Sequence, residues 1–155
     1  MSIPTEILRA ADLLAGLTPE QAEVVAALGQ RQIYHKGDII MHAGEPGNEL
    51  CIVLKGQTEV VTGEEIPDSP SSVFLGEGQG FGEMSVLDAG PRSATIHCAS
   101  DEAEILMIPG KALLEFCGRD RVIGYQLMYN IARDLAFKLR VRNLALQRLL
   151  EEKQR

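Results

Sequence analysis

The chain has 155 residues, 45% of them hydrophobic, and a formal net charge of −7, which is the size and apolar content of one domain able to bury about two thirds of its unfolded surface. The acidic balance argues against a general nucleic-acid binder, which would carry a basic face. The charge is uneven: six cations and two carboxylates fall between positions 138 and 155, leaving the remainder at −11, and such a tail reads as a solvated helix face or as a contact for an acidic partner.

The first residues, Met1 to Glu6, lack a basic segment followed by a long apolar run, so neither a signal peptide nor a membrane span is expected and the chain is placed in the cytoplasm. Cys51, Cys98 and Cys117 are an odd, scattered set that fits reduced core thiols. Ile7 to Leu14 is apolar enough for a short helix. Thr18-Pro19-Glu20-Gln21 then has the pattern of a capping box with proline at the first helical position. The helix it opens is expected to reach about Leu28 and to bury Val24, Val25 and Leu28.

From Arg31 the helical period gives way to short apolar runs separated by glycines, the pattern of a compact β barrel or jelly roll. Tyr34 to Asp38 reads as a turn, Ile39 to Met41 as a strand, and Ala43 to Asn48 as a second turn. Leu50 to Leu54 is a buried strand that turns at Lys55-Gly56 into Thr58 to Val61. Gly63 to Ser72 is polar and rich in proline and serine, as an exposed hairpin tip would be. Val73 to Leu75 returns from it, and Thr95 to Ala99 with Ala103 to Ile108 complete the barrel.

Between these strands lies the segment 80–95, which gathers Gly80, Gly82 and Gly90 with Glu83 and Arg92. Its glycines permit unusual backbone angles and close approach by another group. Met84 to Leu87 is long enough for one helical turn, whose start would present free N–H groups to an anion. Asp88-Ala89-Gly90-Pro91 stops that turn and bends the chain ahead of Arg92. A guanidinium offers paired donors suited to phosphate oxygens, while Glu83 can only accept, most naturally from sugar hydroxyls. Two arrangements satisfy these residue types: a weak Glu83–Arg92 ion pair across a surface loop, or a receptor for a small anion bearing hydroxyls.

After Pro109, Ala112 to Phe116 makes a short helix. Arg119 to about Glu152 follows as one long helix of strong helix formers. Met128, Ile131, Leu135, Leu139, Leu146 and Leu149 form an apolar stripe widened by Phe137, Val141 and Leu144, although Arg142 interrupts it. A small barrel can cover only its first half, so the second half is expected to meet a second copy of the chain or another protein.

Other chemistries lack a signature. His35, His42 and His97 make no close metal-binding pair with one another or with the cysteines, and His97 and Cys98 point to opposite faces of a strand. No nucleophile-base constellation appears, and Glu83 with Arg92 supplies no general base, so binding without turnover is expected and the chain reads as no enzyme.

The segment 80–95 resembles the phosphate-binding cassette of the cyclic nucleotide-binding domain family, with Phe81-Gly82-Glu83, a short apolar helix, and Pro91-Arg92-Ser93-Ala94 in the matching places. Gly37, Gly44 and Gly56 fall where that family carries structural glycines. The resemblance implies an α+β, mainly β, fold: an eight-stranded jelly roll within a single domain 1–155, with N-terminal helices in 1–30, the β roll in 31–109, a short cassette helix, and C-terminal helices in 110–155. It implies further that Glu83 accepts from a ribose hydroxyl, that Arg92 with the backbone of Gly82, Met84, Ser93 and Ala94 holds a cyclic phosphate, and that Val60 lines the pocket. The last helix would cap the purine from among Arg133, Phe137, Lys138 and Leu139. Phe137 could stack on it and Arg133 could hydrogen-bond or form a cation-π contact. Lys138 and Leu139 stand where transcription activators of the family carry small hydroxyl residues, so the mode of capping departs from that pattern. Ser93 leans the ligand toward cAMP rather than cGMP, with no metal or other cofactor. Catabolite-activator-like regulators continue from this helix into a DNA-binding domain, whereas the chain ends at Arg155. The implied protein is a stand-alone receptor that signals through its last helix to a partner or a dimer mate, without DNA or membrane contact. The alternative is an interaction module of the same fold that uses that helix and no nucleotide.

Overall fold

The computed structural model describes residues 3–61 and 73–154. The hairpin tip expected at 63–72 lies outside them. The N-terminal part comprises α1 (Thr5–Ala10), a 3-10 turn (Asp12–Leu14) and α2 (Pro19–Ala26). The single helix expected over Ile7–Leu14 is therefore broken. Ala11 is extended and the Asp12 amide donates to the Gly78 carbonyl at 2.8 Å, so the chain leaves the helix to satisfy a loop. The capping box at Thr18 and Gln21 is present in both directions. Of the three residues expected to be buried in α2, Val25 is in the core, Leu28 is half-buried, and Val24 is exposed. Ala22, at the i−3 position to Val25, takes the inward face that Val24 does not.

Eight strands among the described residues form two antiparallel sheets. They are β1 (Gln30–His35), β2 (Ile39–Met41), β3 (Glu49–Lys55), β4 (Thr58–Val61), β5 (Val73–Leu75), β6 (Gly80–Phe81), β7 (Thr95–Cys98) and β8 (Glu102–Pro109). One sheet has the order β1-β8-β3-β6 and the other β2-β7-β4-β5. Tyr34 and His35, expected in a turn, belong to β1, because they continue its ladder opposite Ala103 and Glu102.

β3 explains where the core sits. Successive side chains of a strand point to opposite faces. Leu50, Ile52 and Leu54 pack with the helices, while Cys51 and Val53 pack between the two sheets. Both faces are covered, which is why this strand is a continuous apolar run. β8 does the same, with Leu106 and Ile108 on the helical side and Ala103 and Ile105 inside the roll.

The chain leaves β8 through α4 (Gly110–Arg119) and α5 (Arg121–Lys153), separated by Asp120, whose extended backbone and side-chain bond to the Ile123 amide start the second helix. Ile123, Leu127 and Ile131 bury one face of α5 in the helical core. Asn130, also buried, donates to the carbonyls of Leu13 and Ala15 at 2.9 and 2.8 Å. That ties the long helix to the N-terminal turn. Beyond Leu135 every described residue of α5 except Lys138 is exposed. The 33-residue helix is about 50 Å long at 1.5 Å per residue, so it outruns the roll as the stripe implied.

Candidate functional site

The segment 80–95 is anchored at the edge of the first sheet. β6 pairs with β3, Phe81 opposite Cys51 and Gly80 opposite Ile52, and this fixes where the chain departs. Gly82 comes next, with φ 84°, as the N-cap of α3 (Glu83–Asp88). A side chain there is excluded twice. The left-handed backbone disfavours it, and a Cβ would lie 2.5 Å from the Glu49 carbonyl oxygen and 2.8 Å from Arg92 Nη1. Gly47 likewise leaves room for the Arg92 guanidinium, which would collide with any Cβ at that position. Ala89 closes α3 in the left-handed region at φ 57°, turning the chain back toward Arg92.

Glu83 and Arg92 are both buried, at 4% and 6% exposure. They do not pair with each other. Arg92 Nη2 meets Glu49 Oε2 at 3.4 Å, and Nη1 donates to the carbonyls of Glu49 and Gly82 at 3.1 and 3.4 Å. Glu83 Oε1 accepts from Lys138 Nζ at 2.9 Å. The surface ion pair weighed from the sequence is thus absent among the described residues. Each charge is held by a third party.

Two features of this arrangement bear on chemistry. Glu83 Oε2 is buried without a hydrogen-bond partner among the described residues, as is Ser85 Oγ. A buried polar atom without a partner carries a desolvation cost, and a donor hydroxyl arriving at Oε2 would relieve it. The guanidinium has five N–H donors, of which the three contacts above leave two unused among the described residues. The Glu49 carboxylate is the weaker of Arg92's holds, since its side chain is 46% exposed and an exposed ion pair contributes little. An incoming anion could take its place.

The other sequence candidates fall into two groups. Val60 packs against the core between the sheets and Ala94 is buried, whereas Met84 and Ser93 are exposed. Of the α5 candidates, Lys138 reaches the segment. Its Nζ donates to the Gly80 carbonyl at 2.8 Å and to Glu83, and lies 2.8 Å from Asp134 Oδ2. Phe137 is 65% exposed, and Arg133 is exposed with its guanidinium 5.8 Å from the Tyr129 ring. At 100° per residue, Phe137 is rotated a quarter turn from Lys138 and Arg133 still further, so the structure does not bring them to Glu83.

Glu49, Gly47 and Asp134 were not singled out from the sequence. Asp134 had a readable signal, its i,i+4 spacing to Lys138. Glu49 had none, because its role depends on a turn placing it across from Arg92.

Burial pushes the Cys51 thiol up to about 12; Arg92 opposes that rise, and Glu49 and Glu83 add to it. Cys51 therefore stays protonated beside the site. A cleft of about 940 Å3 flanks residues 85–91 on the α4 side, where Val86, Pro91, Lys111 and Leu114 line it. Neither Glu83, Arg92 nor Lys138 lines it.

Comparison with known proteins accords with this geometry. The family described as "Cyclic nucleotide-binding domain" matches residues 31–120. The chain is 30% identical over 148 residues to a "Cyclic AMP receptor protein" of Thermus thermophilus, covering 96% of this chain and 66% of that one. It is 27% identical over 132 residues to a "CRP-like cAMP-activated global transcriptional regulator" of Mycobacterium tuberculosis, covering 84% of this chain and 58% of that one. The crystal structure of the Thermus thermophilus catabolite activator protein superposes with a TM-score of 0.74 at 31% identity, over 90% of this chain and 63% of that one. The chain thus spans less than two thirds of the length of each of these relatives.

Proposed function

Because the chain belongs to the cyclic nucleotide-binding domain family, we propose that it is a cyclic nucleotide receptor that takes cAMP in preference to cGMP and signals through α5. The observation that carries this reading is the buried Glu83 and Arg92, held apart with acceptor and donor capacity to spare. Arg92 with the Gly82, Met84, Ser93 and Ala94 backbone holds the cyclic phosphate, and Glu83 Oε2 accepts from the ribose hydroxyl. Glu49 yields the guanidinium as the phosphate arrives. Val60 lines the pocket from the sheet opposite. The preference for cAMP is supported by Ser93 and by the cyclic AMP named for the Thermus relative. In this reading the ligand is bound without turnover.

Signalling through α5 is supported by the Lys138–Glu83 link, which joins the helix to the ligand site. Ligand binding then shifts the population of α5 positions, to the extent that it favours one over another. Leu139, Leu146 and Leu149 stay exposed along the outer half of α5 and present an apolar strip to a second copy or a partner protein.

Calorimetric titration with cAMP, cGMP and 5′-AMP tests the reading. Binding of cAMP tighter than cGMP, with 5′-AMP weak, is expected. Absence of binding by either cyclic nucleotide at about 100 μM, between millimolar and micromolar affinity, overturns it.

A further inference from the structure

Glu83 is the only acid of α3's first turn, and its two oxygens are in different states. Oε1 is taken by Lys138 and Oε2 has no partner among the described residues. A carboxylate free to rotate would present either oxygen to a ligand, whereas one pinned at a single oxygen has its other lone pairs aimed. Lys138 is itself pinned. Its Nζ is held by the Gly80 carbonyl, before the Gly82 turn, and by Glu83, after it. Asp134, one helical turn earlier on α5, lies 2.8 Å away. The lysine therefore fixes the Glu83 carboxylate with respect to both the segment 80–95 and α5.

We propose that Lys138 is the positioning residue for ribose recognition: by holding Glu83 Oε1 it directs Oε2 at the ligand's 2′-hydroxyl, so that selection of a ribose over a deoxyribose depends on a residue of the capping helix. This rests on the receptor reading above and assigns Lys138 to the sugar instead of the purine. A bidentate partner would have consumed both oxygens; a single ammonium leaves one. Because Asp134 and Lys138 share α5 while Gly80 and Glu83 flank Gly82, the network survives only when the helix sits over the segment. The sugar is read only with the helix in place.

The test compares cAMP with 2′-deoxy-cAMP by calorimetric titration of the wild type, Lys138→Met and Lys138→Arg. The wild type is expected to favour cAMP by about tenfold or more, as for a hydrogen bond to a charged acceptor. In Lys138→Met the cAMP affinity falls about tenfold while 2′-deoxy-cAMP is little changed, and the preference collapses. Lys138→Arg, whose planar fork can take both Glu83 oxygens, is expected to leave the preference low. An unchanged preference in Lys138→Met overturns the proposal and leaves the receptor reading standing, as does an equal loss for both nucleotides. Failure of the wild type to bind either nucleotide overturns both. Should Lys138→Met fail to fold by thermal melting, Asp134→Asn, which removes the carboxylate beside the lysine's ammonium, carries the same comparison and is expected to lower the preference part way.

Discussion

Replacing Arg92 by leucine separates the two tasks of this side chain. The buried guanidinium satisfies the carbonyls of Glu49 and Gly82 and faces the half-exposed Glu49 carboxylate. Losing the first two bonds, at about 0.5–1.5 kcal/mol each, and a near-neutral exposed pair costs about 1–3 kcal/mol. For a chain of this size that lowers the melting temperature by several degrees, since 1 kcal/mol corresponds to roughly 2–4 °C. In the complex, loss of charge-assisted bonds to the phosphate costs about 1.5–3 kcal/mol more, weakening cAMP by about ten- to 150-fold. Differential scanning calorimetry reads the first effect and titration the second. Arg92→Lys should recover more stability than affinity, because an ammonium lacks the planar fork. A leucine variant that melts lower and yet binds cAMP within about threefold of wild type would refute the assignment of Arg92 to the phosphate.

Further outcomes follow from neighbouring groups. Glu49→Gln removes the carboxylate that competes for Arg92 and is expected to raise cAMP affinity by up to about fivefold, the scale of an exposed ion pair; a fall measured by titration would make Glu49 a supporter of Arg92 instead. Leu146→Glu, placed on the exposed strip of α5 far from Glu83, should abolish association seen by sedimentation while leaving nucleotide affinity unchanged. Burial raises the Cys51 thiol from its ordinary 9.0 to about 12, so its contribution to stability is complete below pH 9 and is lost as pH climbs toward 12. Cys51→Ala should flatten that alkaline decline in urea unfolding, apart from lowering stability at every pH through the cavity it leaves. At pH 8 the half-buried Cys117 should react with a maleimide before the buried Cys51 and Cys98.

Much of this molecule is written locally. The capping box at Thr18, the doubly apolar β3, the glycine turns and the amphipathic α5 each follow from residues within a few positions of one another, and local geometry is what short-range pattern encodes. The grouping of Gly82, Glu83 and Arg92 in one segment was legible for the same reason: ten residues and one proline suffice to place them. The strand Gly80–Phe81 was not, because two residues become a strand only when β3 lies beside them.

What the tertiary structure decided is which partner each charge takes. From the sequence, Glu83 and Arg92 stood as possible partners for each other within one short segment. Folding set Glu49 against Arg92 across 43 positions and Lys138 against Glu83 across 55, and side chains that far apart meet only after the roll and α5 have packed. The break at Ala11 and the bonds from Asn130 to the N-terminal turn have the same origin, in backbone groups that must find partners once water is excluded. Residue types alone determined that a phosphate and a sugar could be held between positions 80 and 95. Packing determined that Arg133 and Phe137 stand away from that site while Lys138 reaches it, since a rigid helix 100° out of phase cannot turn both faces to the same carboxylate.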